Sequence, residues 1–273
     1  MLQTTWSPTT RALSVVVELV SLVAVAALVA SCGGSTAEKE AEAPPQTGKA
    51  VLVNEIPHDP TAFTEGLVLD GSVLYESTGD FGKSTIRTID PNTGAVTNSV
   101  ALEPDLFGEG VAAVGDRLWQ LTFRNGFAIE RDRASLRELQ RVPMTGEGWG
   151  LCYDGSRLIR SDGTDTLHFH DPNTFAETGT VSVTIDGKPQ RRLNELECED
   201  GQVWANVMPS EQIVRIDPES GDVTATVDAA GLLDPVRRSK TDVMNGIAAM
   251  GNGEYLLTGK YWPSMFRVRF ELQ

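Results

Sequence analysis

Five near-copies of one short pattern, alternating apolar runs and frequent turn signals predict an all-β fold: a five-bladed β-propeller whose last blade is closed by an N-terminal strand. The copies are Glu65-Gly66-Leu67-Val68-Leu69-Asp70-Gly71, Glu109-Gly110-Val111-Ala112-Ala113-Val114-Gly115, Trp149-Gly150-Leu151-Cys152-Tyr153-Asp154-Gly155, Glu195-Leu196-Glu197-Cys198-Glu199-Asp200-Gly201 and Asn245-Gly246-Ile247-Ala248-Ala249-Met250-Gly251. Their starts lie 40 to 50 residues apart, the length of a four-stranded blade. No sustained helical period competes with this reading.

Residues 1–31 stand apart from that domain. Arg11 precedes an apolar run over 19–30, too short to span a bilayer, which ends in Val29-Ala30-Ser31-Cys32. Small residues before a cysteine resemble a bacterial lipobox. This predicts a lipoprotein signal peptide over 1–31 and lipid attachment at Cys32; an uncleaved N-terminal anchor is the alternative. Either reading places the remainder outside the cytoplasm, at the cell envelope, with a membrane as partner. Residues 32–49 are small, charged and Pro-bearing and read as a flexible tether, leaving 50–273 as the propeller.

Within each repeat the first run is the inner strand. A second strand follows, as at Val73-Leu74-Tyr75 or Val203-Trp204-Ala205-Asn206, and a third, as at Thr85-Ile86-Arg87-Thr88-Ile89. The turns Asp90-Pro91-Asn92-Thr93-Gly94 and Asp217-Pro218-Glu219-Ser220-Gly221 set up the fourth, because Pro presets φ and Gly accepts positive φ. The fifth repeat has room for three strands; the run 50–56 supplies the fourth and removes an exposed edge. Trp119 and Trp204 fall in matching mid-strand positions and read as packing between blades.

Two cysteines fall in the domain, Cys152 and Cys198, in one register on adjacent inner strands. They are read either as a disulfide, in an oxidising compartment, or as two buried thiols. His168 and His170 alternate on one strand without ligand-spaced partners and read as a solvated face, so no metal site is expected. The net charge of -15 argues against nucleic acid as a partner.

Inner-strand starts converge on the axis of a propeller. Glu65, Glu109, Trp149, Glu195 and Asn245 are therefore expected at one mouth, framed by Phe63 and Phe107, with Lys260 on the last blade. Carboxylates held together raise one another's pKa, which suits acid/base work.

At these residues the sequence resembles the plant and bacterial glutaminyl-peptide cyclotransferases, also called glutamine cyclotransferases. The matching pieces are Phe63-Thr64-Glu65-Gly66-Leu67, Leu74-Tyr75-Glu76-Ser77-Thr78-Gly79, Phe107-Gly108-Glu109-Gly110, Leu193-Asn194-Glu195-Leu196-Glu197, Val203-Trp204-Ala205-Asn206-Val207 and Thr258-Gly259-Lys260-Tyr261-Trp262-Pro263. The resemblance implies a five-bladed propeller that converts N-terminal glutamine of peptides or proteins to pyroglutamate, releasing ammonia without metal; no other cofactor is expected, and the protein is expected to be a monomer. It implies Glu109 as acid/base and Lys260 as stabiliser of an oxyanion. Phe63, Glu65, Phe123, Trp149, Asn194 and Met208 would form the substrate pocket. Three of these depart from the family: Glu65 stands where Gln is usual, and Phe123 and Met208 where Trp is frequent. Two other readings use the same mouth. One is a partner-binding propeller without catalysis. The other is a calcium-dependent lactone or ester hydrolase with Glu65, Glu109, Asn194, Asp242 and Asn245 as ligands.

Overall fold

The structure, a computed structural model, describes residues 44–273; the signal peptide expected over 1–31, Cys32 and the first part of the expected tether lie outside the described residues. Five four-stranded antiparallel units form around one axis. Their inner strands are Thr64–Asp70, Gly108–Val114, Leu151–Tyr153, Leu193–Glu199 and Met244–Gly251. Each inner strand neighbours the next, and the first neighbours the fifth, so the ring is closed. The two longest repeat intervals hold extra pieces: a short hairpin at Thr184–Ile185 and Lys188–Pro189, and a helix at Pro235–Arg238 capped by Asp234.

Closure uses the strand Gln46–Pro57. It pairs antiparallel with Ser264–Leu272, from Gly48 opposite Leu272 to Pro57 opposite Ser264. Its first residues, Gln46 to Lys49, also pair in parallel with Ala225 to Asp228 of the fourth blade. This corrects the tether boundary: the strand begins at Gln46, because backbone pairing on both sides captures polar residues that carry no apolar signal of their own.

Five apolar clusters fill the five seams between blades. Trp119 of the second blade is fully buried, 4.9 Å from Phe175 of the third, and donates its indole N–H to Pro172 O at 3.0 Å. Trp204 of the fourth packs on Tyr255 and Phe270 of the fifth. Both tryptophans are therefore seam residues. Cys152 and Cys198 are joined as a disulfide between the third and fourth inner strands.

The axis is crowded, and that crowding explains the glycine of the repeat. A Cβ at Gly110 would lie 2.5 Å from Leu151 N, and one at Gly150 would lie 2.1 Å from Asn194 O. The neighbouring inner strand occupies the space a side chain would need.

The histidines differ from expectation. His170 is buried, stacked on Phe175, with Nδ1 on Phe175 O and Nε2 accepting from Arg160. His168 sits between Asp162 and Glu177, each 3.2 Å away. The strand alternation put both rings on one face, but the loop holding Phe175 folds over part of it. His58, just past the closing strand, is buried too. Its Nδ1 donates to Trp262 O at 2.8 Å and its Nε2 to Glu76 at 3.0 Å. Burial pulls its pKa down, but Glu76 more than offsets this and the net shift is upward. Burial likewise pushes Glu76 up, yet His58, Arg87 and Thr64 override it and bring Glu76 down to about 2. These bonds tie the closing segment to the first and fifth blades.

Glu76→Ala leaves His58 buried without its anion and Arg87 with Asp59 alone, so unfolding free energy should fall by about 3–5 kcal/mol in denaturant titrations. Because the Glu76 pKa is depressed, its contribution is present above pH 4.5 and is lost as pH falls toward 2. The variant should lack that part of the acid dependence.

Candidate active site

Four inner strands begin with a register shift in their pairing to the second strand. The shifts fall between Thr64 and Gly66, Gly108 and Val111, Leu193 and Leu196, and Met244 and Ile247. The residues skipped include Glu65, Glu109, Asn194, Glu195 and Asn245. A bulge releases such residues from the ladder and re-aims their side chains. Sequence alternation alone does not show this, since the inserted residues keep the same polar character.

Three of the released side chains, Glu65, Glu109 and Asn194, meet at one end of the axis. A pocket of about 190 Å³ is lined by Phe63, Glu65, Phe107, Glu109, Phe123, Trp149, Asn194, Met208 and Lys260. Every residue assigned above to catalysis or to the substrate pocket is among them. Glu195 is not. It is fully buried deeper on the axis, where its carboxylate accepts from Leu67 N at 3.1 Å and Ile247 N at 2.7 Å. It clasps the first and fifth inner strands to the fourth, so the expected trio of carboxylates at the mouth is a pair. Burial, then Glu197, push its pKa well up, and the two amides pull against them.

The pair is asymmetric. Glu65 accepts from Lys260 Nζ at 2.8 Å and from Asn245 Nδ2 at 3.0 Å. Glu109 Oε2 is buried without a hydrogen-bond partner. Burial drives Glu65 up to about 7 against the pull of Lys260. Burial, reinforced by the Glu65 charge, drives Glu109 well above the usual carboxylate range. Two donors favour the anion on Glu65 and none favours it on Glu109. The shared proton therefore belongs on Glu109.

Lys260 follows the strand Glu254–Gly259 and is held through its backbone, donating to Val243 O and accepting from Asp242 N, both at 2.9 Å. Its ammonium also lies 4.6 Å from the centre of the Phe63 ring. Trp149 is fixed by its indole N–H on Glu147 at 3.0 Å, and Glu147 also binds Arg124 at 2.7 Å. Glu147 had no signal in the repeat; it lies in the loop before the third inner strand. Asn194 donates to Met208 Sδ at 3.7 Å. The box is thus aromatic and apolar on its walls, with one acid, one ion pair and one amide directed to its interior. Such an arrangement can shuttle a proton and stabilise a developing oxyanion while limiting water.

The calcium reading is not favoured by this geometry. Glu65 spends its oxygens on Lys260 and Asn245, and among the described residues no three His, Cys, Asp or Glu side chains group as metal ligands.

Comparison with known proteins agrees with the geometry. Residues 23–270 match the model of a family described as glutamine cyclotransferase. The chain is 39% identical over 230 residues to glutaminyl-peptide cyclotransferase of Arabidopsis thaliana, covering 81% of this chain and 71% of that protein. It superposes on the crystal structure of glutaminyl cyclase from Myxococcus xanthus with a TM-score of 0.78 at 36% identity, covering 84% of this chain and 99% of that one. The chain belongs to the glutamine cyclotransferase family.

Proposed function

We propose that this protein is a glutaminyl-peptide cyclotransferase, converting N-terminal glutamine of peptides or proteins to pyroglutamate with release of ammonia and without a metal. The observation that carries this reading is Glu109: a buried acid, free of hydrogen bonds at Oε2, beside Lys260 in an aromatic box. The names of the Arabidopsis and Myxococcus relatives support it.

The reaction joins the α-amine nitrogen to the side-chain Cδ and breaks the bond from Cδ to the amide nitrogen. One proton must leave the attacking nitrogen, and one must reach the departing nitrogen. Glu109 in its acid form gives a proton to the leaving nitrogen and takes one from the amine, so lactam and ammonia form with no net proton change. Lys260 faces the oxygen that gains charge at the tetrahedral stage. Asn194 supplies a hydrogen bond to the substrate amide or backbone. Phe63, Phe107, Phe123 and Trp149 exclude the water that would otherwise hydrolyse the side chain to glutamate. Asn245 holds Glu65, and Glu65 holds Lys260, so the cation is aimed before substrate arrives.

The N-terminal region completes the proposal: export, cleavage before Cys32 and lipid attachment there, giving a monomeric enzyme tethered at an extracytoplasmic membrane face. The Val29-Ala30-Ser31-Cys32 sequence supports it. Radiolabelled palmitate should enter the protein in expressing bacteria and be absent from Cys32→Ser; equal labelling of both would refute lipidation at that residue.

Ammonia release from Gln-peptides should persist in EDTA. Glu109→Gln should lower kcat/KM by about 10²–10⁴-fold without loss of fold by circular dichroism. A folded wild-type chain that releases no ammonia would overturn the assignment. Glu65→Gln removes the charge that raises Glu109, so the limb of the kcat/KM profile reporting Glu109 should move to lower pH.

A further inference from the structure

The pocket, of about 190 Å³, has room for about one residue of a peptide. If its occupant is an N-terminal glutamine, as the cyclotransferase reading holds, the second residue must lie at the mouth. The mouth has two unlike sides. On one, Arg124 covers Phe123 at 4.4 Å and pairs with Glu147. On the other, aromatic rings run outward from the pocket wall. Phe63 lies 5.1 Å from Tyr261 and 5.9 Å from Phe107, and Phe107 lies 5.3 Å from Phe81.

Phe81 is 60% exposed. A single exposed phenylalanine needs no explanation in general, but this one abuts a ring that lines the pocket, and its loop is held in place. Gly79 N donates to Phe63 O at 2.7 Å. A Cβ on Gly79 would lie 2.3 Å from Phe107 Cε1, so the glycine lets the loop close on that ring. Asp80 takes the left-handed conformation at φ 84, and its Oδ2 accepts from Tyr261 at 3.2 Å and from Lys83 at 2.9 Å. The loop spends a strained backbone position and two side-chain bonds to present an apolar ring to solvent.

We propose that Phe81, seated against Phe107, forms a subsite for the side chain of the residue that follows the N-terminal glutamine, and that it takes aromatic or bulky aliphatic side chains. The inference rests on the cyclotransferase reading of the pocket. An aromatic side chain on Phe81 gains ring–ring contact and covers exposed apolar surface, whereas glycine gains neither.

The test compares the amides of Gln-Phe and Gln-Gly as substrates, and those of pyroglutamyl-Phe and pyroglutamyl-Gly as ligands in calorimetry, using the full chain. Wild type should favour the Phe member about tenfold in both assays, with the kinetic difference in KM. In Phe81→Ala that ratio should fall to near unity, and Phe81→Tyr should restore it. A ratio that is near unity in wild type, or that survives Phe81→Ala, overturns the subsite. Selective binding of pyroglutamyl-Phe amide by a chain that releases no ammonia would support the subsite and sink the cyclotransferase reading instead.

Discussion

Pairing of Gln46–Pro57 with Ser264–Leu272 is the interaction on which everything else depends. Four blades are complete within their own stretch of chain; the fifth is not. Without the borrowed strand its outer edge is open, and the ring has a seam held by side chains alone. The closing strand is followed at once by His58, whose bonds to Glu76 and Trp262 carry the closure inward from the rim. The first and fifth inner strands are thereby brought together, and Glu65, Asn245 and Lys260, which come from those two blades, can meet. The ion pair at the heart of the pocket is a product of ring closure.

A second constraint is the narrowness of a five-bladed axis. Inner strands there leave no room for side chains at Gly66, Gly110 and Gly150. Polar groups trapped at such depth need partners, and Glu195 and Asn245 supply them by bonding to backbone of adjacent blades. Bulges at the strand starts then turn the next layer of residues into the pocket. Glu109 departs from this pattern, as do Arg87 Nη2 and Asn206 Nδ2 among the described residues. Its unmet oxygen carries a standing free-energy cost in the resting protein, and the proposed chemistry relieves it when substrate nitrogen arrives.

Much of this was legible in the sequence because the repeat is strong. Five copies of one inner strand gave the blade count, and the short fifth copy pointed to a strand from the other terminus. The pocket was legible because the same position recurs: Glu65, Glu109 and Trp149 mark the mouth in three blades. What the sequence hid has a common cause. Glu195 shares the repeat position but sits deeper, since the pattern does not encode depth along the axis. His170 shares a strand face with His168 but is covered by a loop from beyond the strand. Gln46 to Lys49 look like linker and become strand through pairing partners far away in the chain. The Glu195 and Gln46 misses turn on contacts between segments remote in sequence, and the His170 miss on a loop that folds back from five residues along; strand periodicity carries neither.

The closing strand has one more consequence. Gln273 N donates to Thr47 O at 2.9 Å, so the two ends of the domain lie side by side on the same blade. A short linker from Gln273 back to Gln46 would make the polypeptide circular without disturbing a ladder, and new ends opened at an exposed turn such as Gly71 would leave every blade with its strands.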